Sequence, residues 1–321
     1  MKKKTCHVRH GGFTLIELAI SLVFIGILSI TVVLLIRSVT TSYQRGLILN
    51  QLNTVGMDLT DDMRTSVQNA SSYSILEMCN TFYTEGTANR DSCISDNANS
   101  FVSVVKRASV TTKDGVIGDN MPVYGAFCTG TYTYIWNSGY FEKAEYDEKR
   151  AVKTSSGAEL SPVTLGVKNI ETNTVSLLKS DFRLLKIYDT ERTVCVNAMK
   201  AQAGEDNYLS LSNYNNDKVQ TQFLINSTMI NADPDNEGGV ELMSINGLND
   251  LVIYDLYVAK PAISSTRKNF FYSASFILGT KRGGINIKRA GDSCKPPSDD
   301  FSELEYCAIN KFNFAVQAGG E

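Results

Sequence analysis

The sequence predicts an α+β chain: one long N-terminal helix, half of it fit for a membrane, followed by a head built on antiparallel strands. Three observations predict this. Phe13–Ile36 reads FTLIELAISLVFIGILSITVVLLI, 24 residues with a single charge, Glu17. Beyond it, Ile48, Leu52, Val55, Leu59, Met63 and Val67 recur at steps of three and four, the spacing of one helix face. From Ser72 onward the chain turns to short β-prone runs separated by Gly, Asn, Asp and Ser.

Residues 1–12 form a basic leader, with Lys2, Lys3, Lys4 and Arg9 and no acid. Four of the 31 basic side chains lie there, so the remaining chain sets 27 against 34 acidic ones, about −7. That balance gives no general footing for nucleic acid. His7 and His10 are both in the leader, as is Cys6. If the leader is removed, the chain loses every histidine, and with it Ser-His, Cys-His and His-metal chemistry. Six cysteines remain, Cys79, Cys93, Cys128, Cys195, Cys294 and Cys307. An even number beyond the apolar segment fits an exported compartment that permits disulfides.

As a helix, residues 13–36 would extend roughly 36 Å, enough for a bilayer core of about 30 Å. Positive charge before the segment keeps the N-terminus cytoplasmic and sends the bulk of the chain outside. The run is too long for a secretory signal core, and Val32-Val33-Leu34-Leu35-Ile36-Arg37 offers no small-residue cleavage site. A plain signal anchor fits the length but leaves Glu17 unexplained, because a carboxylate in hydrocarbon costs several kcal/mol, roughly.

Gly11-Gly12-Phe13-Thr14-Leu15-Ile16-Glu17-Leu18, placed directly after the basic leader, resembles the type IV prepilin signature of type IV pilins, type II secretion pseudopilins and competence pilins. The resemblance implies cleavage by a prepilin peptidase between Gly12 and Phe13, and N-methylation of Phe13. It also implies that Glu17 takes a charge contact from a neighbouring subunit's N-terminal ammonium during assembly. A carboxylate in the membrane needs such a cationic partner. Gly26 falls where many pilins carry a glycine. Leu34 falls where major pilins often have a proline, and no proline precedes Pro122. The helix is therefore expected to run unbroken from about Phe13 to Asn69, with Asn50, Asn53, Asp58, Asp61, Asp62 and Arg64 on its solvent face.

The resulting division is a leader at 1–12, a helix at 13–70 with its transmembrane part at 13–36, and a β-rich exported head at 71–321. Candidate strands are Phe101–Val105, Thr131–Trp136, Val175–Leu178, Phe182–Tyr188, Thr193–Val196, Gln220–Ile225, Leu251–Val258, Phe270–Leu278 and Ile285–Ile287. Several alternate apolar and polar residues as half-buried antiparallel strands do. Gly139–Ser161 reads as an exposed insertion. Cys294 and Cys307 flank Pro296-Pro297 and resemble the C-terminal disulfide loop of many type IV pilins. Cys79–Cys93 and Cys128–Cys195 are the simplest remaining pairs, although six cysteines allow about 15 pairings.

No cofactor or metal is expected. Asp233, Asp235 and Glu237 precede Gly238 in the manner of a calcium loop, but its twelfth position is Ser244 and Pro234 intervenes, so a solvated turn is favoured. Arg267-Lys268, Lys281-Arg282 and Lys288-Arg289 are read as solvated strand ends rather than a phosphate-binding patch. No catalytic motif is visible.

The family resemblance implies a structural minor pilin or pseudopilin that assembles into or primes a filament, and the closing run Tyr306-Cys-Ala-Ile-Asn-Lys-Phe-Asn-Phe-Ala-Val resembles the PilW and pseudopilin-J type of minor subunit. It implies as partners other pilin subunits, the prepilin peptidase, an inner-membrane assembly platform and the lipid membrane. The expected location is the cell membrane with the head outside, then a pilus or pseudopilus. Alternatively, the head is a filament-displayed adhesin or DNA receptor.

Overall fold

A computed structural model of the chain describes residues 14–69, 103–112, 115–129, 131–141, 151–154, 157–169, 171–172, 174–179, 181–189, 194–195, 218–219, 222–226, 239–243, 251–259, 271–281 and 308–317. One helix, α1, runs from Leu15 to Gln68 without interruption, as expected of 54 residues that contain no proline. The chain divides into two compact units, Met1–Gly46 and Leu47–Glu321. The head unit thus begins inside the helix rather than after it.

Fourteen strands follow among the described residues: β1 Ser103–Thr112, β2 Gly115–Cys128, β3 Tyr132–Asn137, β4 Ala151–Lys153, β5 Glu159–Leu160, β6 Thr164–Lys168, β7 Val175–Lys179, β8 Leu184–Tyr188, β9 Lys218–Val219, β10 Gln222–Asn226, β11 Val240–Glu241, β12 Leu251–Ala259, β13 Phe271–Thr280 and β14 Ile309–Gln317. They form an eight-stranded sheet in the order β11-β8-β3-β2-β1-β4-β5-β9 and two three-stranded sheets, β10-β6-β7 and β12-β13-β14. Most pairings are antiparallel; β10–β6 and β5–β9 are parallel. The head is therefore α+β, with a helix and an antiparallel sheet.

Two apolar layers hold it. In one, Ile48, Leu52, Leu59, Met63 and Val67 of α1 meet Phe127, Tyr134, Trp136 and Leu184 of the large sheet and Leu256, Phe276 and Phe314 of the β12–β14 sheet. In the other, Val123, Ile135, Leu185 and Ile187 meet Leu165, Val167, Phe223 and Ile225 of the β10-β6-β7 sheet. The alternation along β3 explains both layers: Tyr134 and Trp136 point to the helix, Ile135 to the opposite face. Buried on both faces, β3 reads as a nearly continuous apolar run.

At Gly56 the helix backbone comes so near the β14 side chains that a Cβ would collide with the ring of Phe312. That ring stacks on Phe276 with centroids 5.1 Å apart. The glycine therefore lets α1 lie directly on the β13–β14 aromatic pair.

Several expectations change. The stripe Ile48, Leu52, Leu59, Met63 and Val67 is buried and Val55 partly so, but Asp62 is not on the solvent face, for it bonds to the large sheet. Gly139–Ser161 is not an exposed insertion throughout. Tyr140, Val152 and Leu160 are buried, and β4 and β5 belong to the eight-stranded sheet. The missed strands include β2, whose Gly118, Asp119, Asn120 and Pro122 read as turn residues. There Asn120 takes φ 63°, and register shifts in the β1–β2 pairing absorb the irregularity. Val194 and Cys195 are buried but lie in no strand. Ile285–Ile287 lies outside the described residues.

Helix propensity alone makes Gly56→Ala stabilising by about 1 kcal/mol. The contact with Phe312 reverses the sign: overpacking of this kind costs about 1–3 kcal/mol. Thermal unfolding of the full chain in detergent should show Gly56→Ala melting below the parent, and Phe312→Leu added to it should recover part of the loss.

Candidate functional site

The feature least explained by folding alone is the first half of α1. Sixteen large apolar side chains from Leu15 to Ile36 are 45–88 % exposed. At about 1.5–3 kcal/mol for each such side chain left in water, the exposure is worth on the order of 30 kcal/mol. That is the free energy an apolar phase or apolar neighbours would supply by covering this surface. The helix is long and apolar enough to cross a membrane; residues 15–36 extend about 33 Å at 1.5 Å per residue.

Two hydroxyls within the segment bond back to the helix itself. Ser21 Oγ donates to the Glu17 carbonyl at 2.7 Å, and Thr31 Oγ1 to the Leu28 carbonyl at 2.8 Å. In hydrocarbon, such return bonds remove the penalty of an unpaired hydroxyl.

Glu17 has a local partner that the sequence reading missed. Its Oε2 accepts the Thr14 N–H at 2.9 Å and the Thr14 hydroxyl at 2.8 Å, while Thr14 Oγ1 receives the Glu17 N–H at 3.4 Å. Thr14 and Glu17 thus form a reciprocal capping box at the start of α1. The signal was present as Thr-x-x-Glu ahead of an apolar run. Both acceptor bonds fall on Oε2, and a carboxylate offers about four acceptor positions, so Oε1 keeps capacity for a cation. Gly12 and Phe13, the expected cleavage and methylation positions, lie outside the described residues.

The second half of α1 is tied to the large sheet by one polar cluster. Lys186 Nζ lies 2.6 Å from Asp62 Oδ1, and the Tyr134 hydroxyl lies 2.8 Å from Asp62 Oδ2 and 2.6 Å from Ser66 Oγ. A phenol has one proton, so Tyr134 donates to Asp62 and accepts from Ser66. Lys186 also sits 4.4 Å above the Tyr132 ring. Burial, with Asp62 beside it, raises the Tyr134 hydroxyl well above the usual phenol range, so it stays a donor.

Cys128 and Cys195 are joined by a disulfide across a sequence separation of 67 residues. Closing a loop of that length restricts the unfolded chain by about 4 kcal/mol in the entropic account. Asp189 holds the second cysteine in place. Its carboxylate accepts the Val194 and Cys195 N–H groups at 3.3 and 3.0 Å and the Thr133 hydroxyl at 2.8 Å. Cys79, Cys93, Cys294 and Cys307 lie outside the described residues, as do Asp233, Asp235 and Glu237.

A small cleft is bordered by Asn137, Ser138, Phe141 and Arg183, and Asn137 braces its wall. The Asn137 amide donates to the carbonyls of Val163 and Phe182 at 3.0 and 3.1 Å and accepts the Val163 N–H at 2.8 Å. Among the described residues, no three or more His, Cys, Asp or Glu come together as a metal site. Of the basic doublets only Lys281 is described.

Compared with models of protein families, with curated proteins and with solved structures, the chain matches none of them.

Asp255, on β12, has its Oδ1 buried without a hydrogen-bond partner among the described residues. Burial raises its pKa, against the opposing pull of Arg107, the Leu256 N–H and Lys311. An acid whose folded pKa is raised adds no penalty below its unfolded value near 3.8. Above that pH the penalty grows until the folded group has ionised. Asp255→Asn should therefore raise the melting temperature more at pH 7 than at pH 3.5, as read by parallel thermal melts. An equal shift at both pH values would assign the effect to packing.

Proposed function

We propose that this chain is a membrane-anchored, non-catalytic subunit of a type IV pilin-like filament, a minor pilin or pseudopilin. One observation carries the proposal. A helix with a single acid five positions into its apolar run, Glu17 counted from Phe13, leaves that run exposed and buries its next stretch against an antiparallel sheet. The sequence Gly12-Phe13-Thr14-Leu15-Ile16-Glu17 supports the family assignment, and the capping box supports a helix that starts at this motif.

In this reading Lys2–Lys4 and Arg9 hold the N-terminus in the cytoplasm while the head is exported. A prepilin peptidase cuts after Gly12, and the new N-terminus at Phe13 is methylated. The subunit waits in the membrane, where lipid covers the segment from Leu15 to Ile36. Assembly replaces lipid by the apolar helices of other subunits at an inner-membrane platform. The N-terminal ammonium of a neighbour approaches Glu17, whose charge is desolvated and gains from a cation at short range. The head contributes bulk and surface rather than chemistry, and its disulfide fits an oxidising compartment.

The cap and the charge of Glu17 can be separated. Glutamine serves in a capping box as glutamate does but offers a neighbour's ammonium no charge. With the prepilin peptidase present, Glu17→Gln and Glu17→Ala should both be processed, as read by the mobility shift of the mature chain. Both should be depleted from sheared filaments at least tenfold. Normal incorporation of Glu17→Gln would remove the charge from the mechanism. Gly12→Leu should remain unprocessed.

A further inference from the structure

The sheets finish their edges differently. Among the described residues, the eight-stranded sheet ends on β11 and β9, two residues each, which offer little backbone to another chain. Among the same residues, β14 ends the β12–β14 sheet with nine. Its register on β13 runs from Phe271↔Gln317 to Gly279↔Ile309 without a shift, whereas the β12–β13 register breaks between Ile253 and Asp255. β14 holds no proline and one charge, Lys311. Prolines, bulges and charges are the usual means of closing an edge to other strands, and β14 uses one of them once.

Two hydrogen bonds fix which backbone groups face outward. Thr280 N donates to the Ala308 carbonyl at 2.9 Å, so the residues in step with Ala308 face β13: Asn310, Phe312, Phe314 and Val316. The Lys311 N–H instead donates to Asn310 Oδ1 at 2.9 Å, away from β13. Ile309, Lys311, Asn313, Ala315 and Gln317 therefore turn their N–H and C=O groups outward. Asn310 closes the start of this edge, since its Nδ2 also donates to Asn53 Oδ1 of α1 at 2.8 Å. Beyond it, no strand lies against Asn313, Ala315 and Gln317 among the described residues.

We propose that this edge pairs antiparallel with β14 of a second copy of the chain, about a two-fold axis at Asn313. Self-complementarity selects that occupant. Centred on Asn313, the register sets Lys311 opposite Ala315 of the second copy, where the Lys311 C=O is left to accept the Ala315 N–H while its own N–H stays on Asn310; no like charges meet, and like charges directly opposite would be destabilising. The same register brings Phe312 opposite Phe314 of the second copy, an aromatic cross-strand pair on the face that carries the Phe276–Phe312 stack. Asn313 meets its own copy, amide to amide. A contact that uses one surface twice is closed and stops at a dimer. The inference goes beyond the filament reading, because pairing of heads uses neither Glu17 nor the apolar helix.

The test is the oligomeric state of the full chain in detergent micelles, by light scattering and sedimentation. The parent should be a dimer. Ala315→Pro removes an outward N–H and leaves the bonds to β13 intact, so it should sediment as a monomer with an unchanged melting temperature. Asn313→Cys should give a 313-to-313 disulfide on mild oxidation, mapped by mass spectrometry. Tyr257→Cys, exposed on β12, should not cross-link. A parent that stays monomeric at every concentration overturns the proposal. So does a dimer that survives Ala315→Pro, which assigns association to the helix. If that variant unfolds, the 313-to-313 cross-link decides alone, and its absence overturns the pairing.

Discussion

The burial of the stripe Ile48, Leu52, Leu59, Met63 and Val67 is the contact on which the head depends. Those side chains fill the layer between the helix and two sheets, so Tyr134, Trp136, Phe276 and Phe314 share one core through the helix rather than each sheet closing its own. Removing the stripe would leave two sheet faces apolar and uncovered. The helix cannot be replaced by a loop here, because only a regular 3.6-residue period keeps apolar side chains at three- and four-residue steps on one face. Gly56 sets how near the helix lies to Phe312. The cluster of Asp62, Ser66, Tyr134 and Lys186 fixes which way the helix faces the large sheet, since its polar atoms bond only in one rotation of the helix.

The same element has a second constraint in its first half. There the apolar side chains surround the helix on all sides, so no single sheet face can bury them. A helix that is apolar all round belongs in a membrane or among other apolar helices. The pilin-like reading supplies both in succession, lipid first and neighbouring helices afterwards. Glu17 belongs to both accounts at once. It caps its own helix through Thr14, and it leaves acceptor capacity for a neighbour.

Much of this was legible in the sequence because helix periodicity is local. The stripe, the unbroken helix and the change to strands after it follow from spacing and from the absence of proline. Asp62 was misread because a face inferred from periodicity cannot see a lysine brought from β8, 124 residues away in sequence. The strand β2 was missed because its bulged stretch uses Asn120 and Pro122, residues whose local preference is for turns; pairing with β1 outweighs that preference. β4 and β5 were missed for a similar reason, since strands of two or three residues carry almost no period. The capping box was legible as Thr14-x-x-Glu17 ahead of an apolar run. The alternation Phe312, Phe314, Val316 in β14 was equally visible.

The central claim is that the apolar helix begins a mature chain at Phe13. The direct measurement is the N-terminus and intact mass of the protein recovered from membranes of cells that contain a prepilin peptidase. The account predicts a chain that lacks residues 1–12 and starts at N-methylated Phe13. A chain that still starts at Met1, or one that starts beyond Ile36 after removal of the whole apolar run, would contradict it.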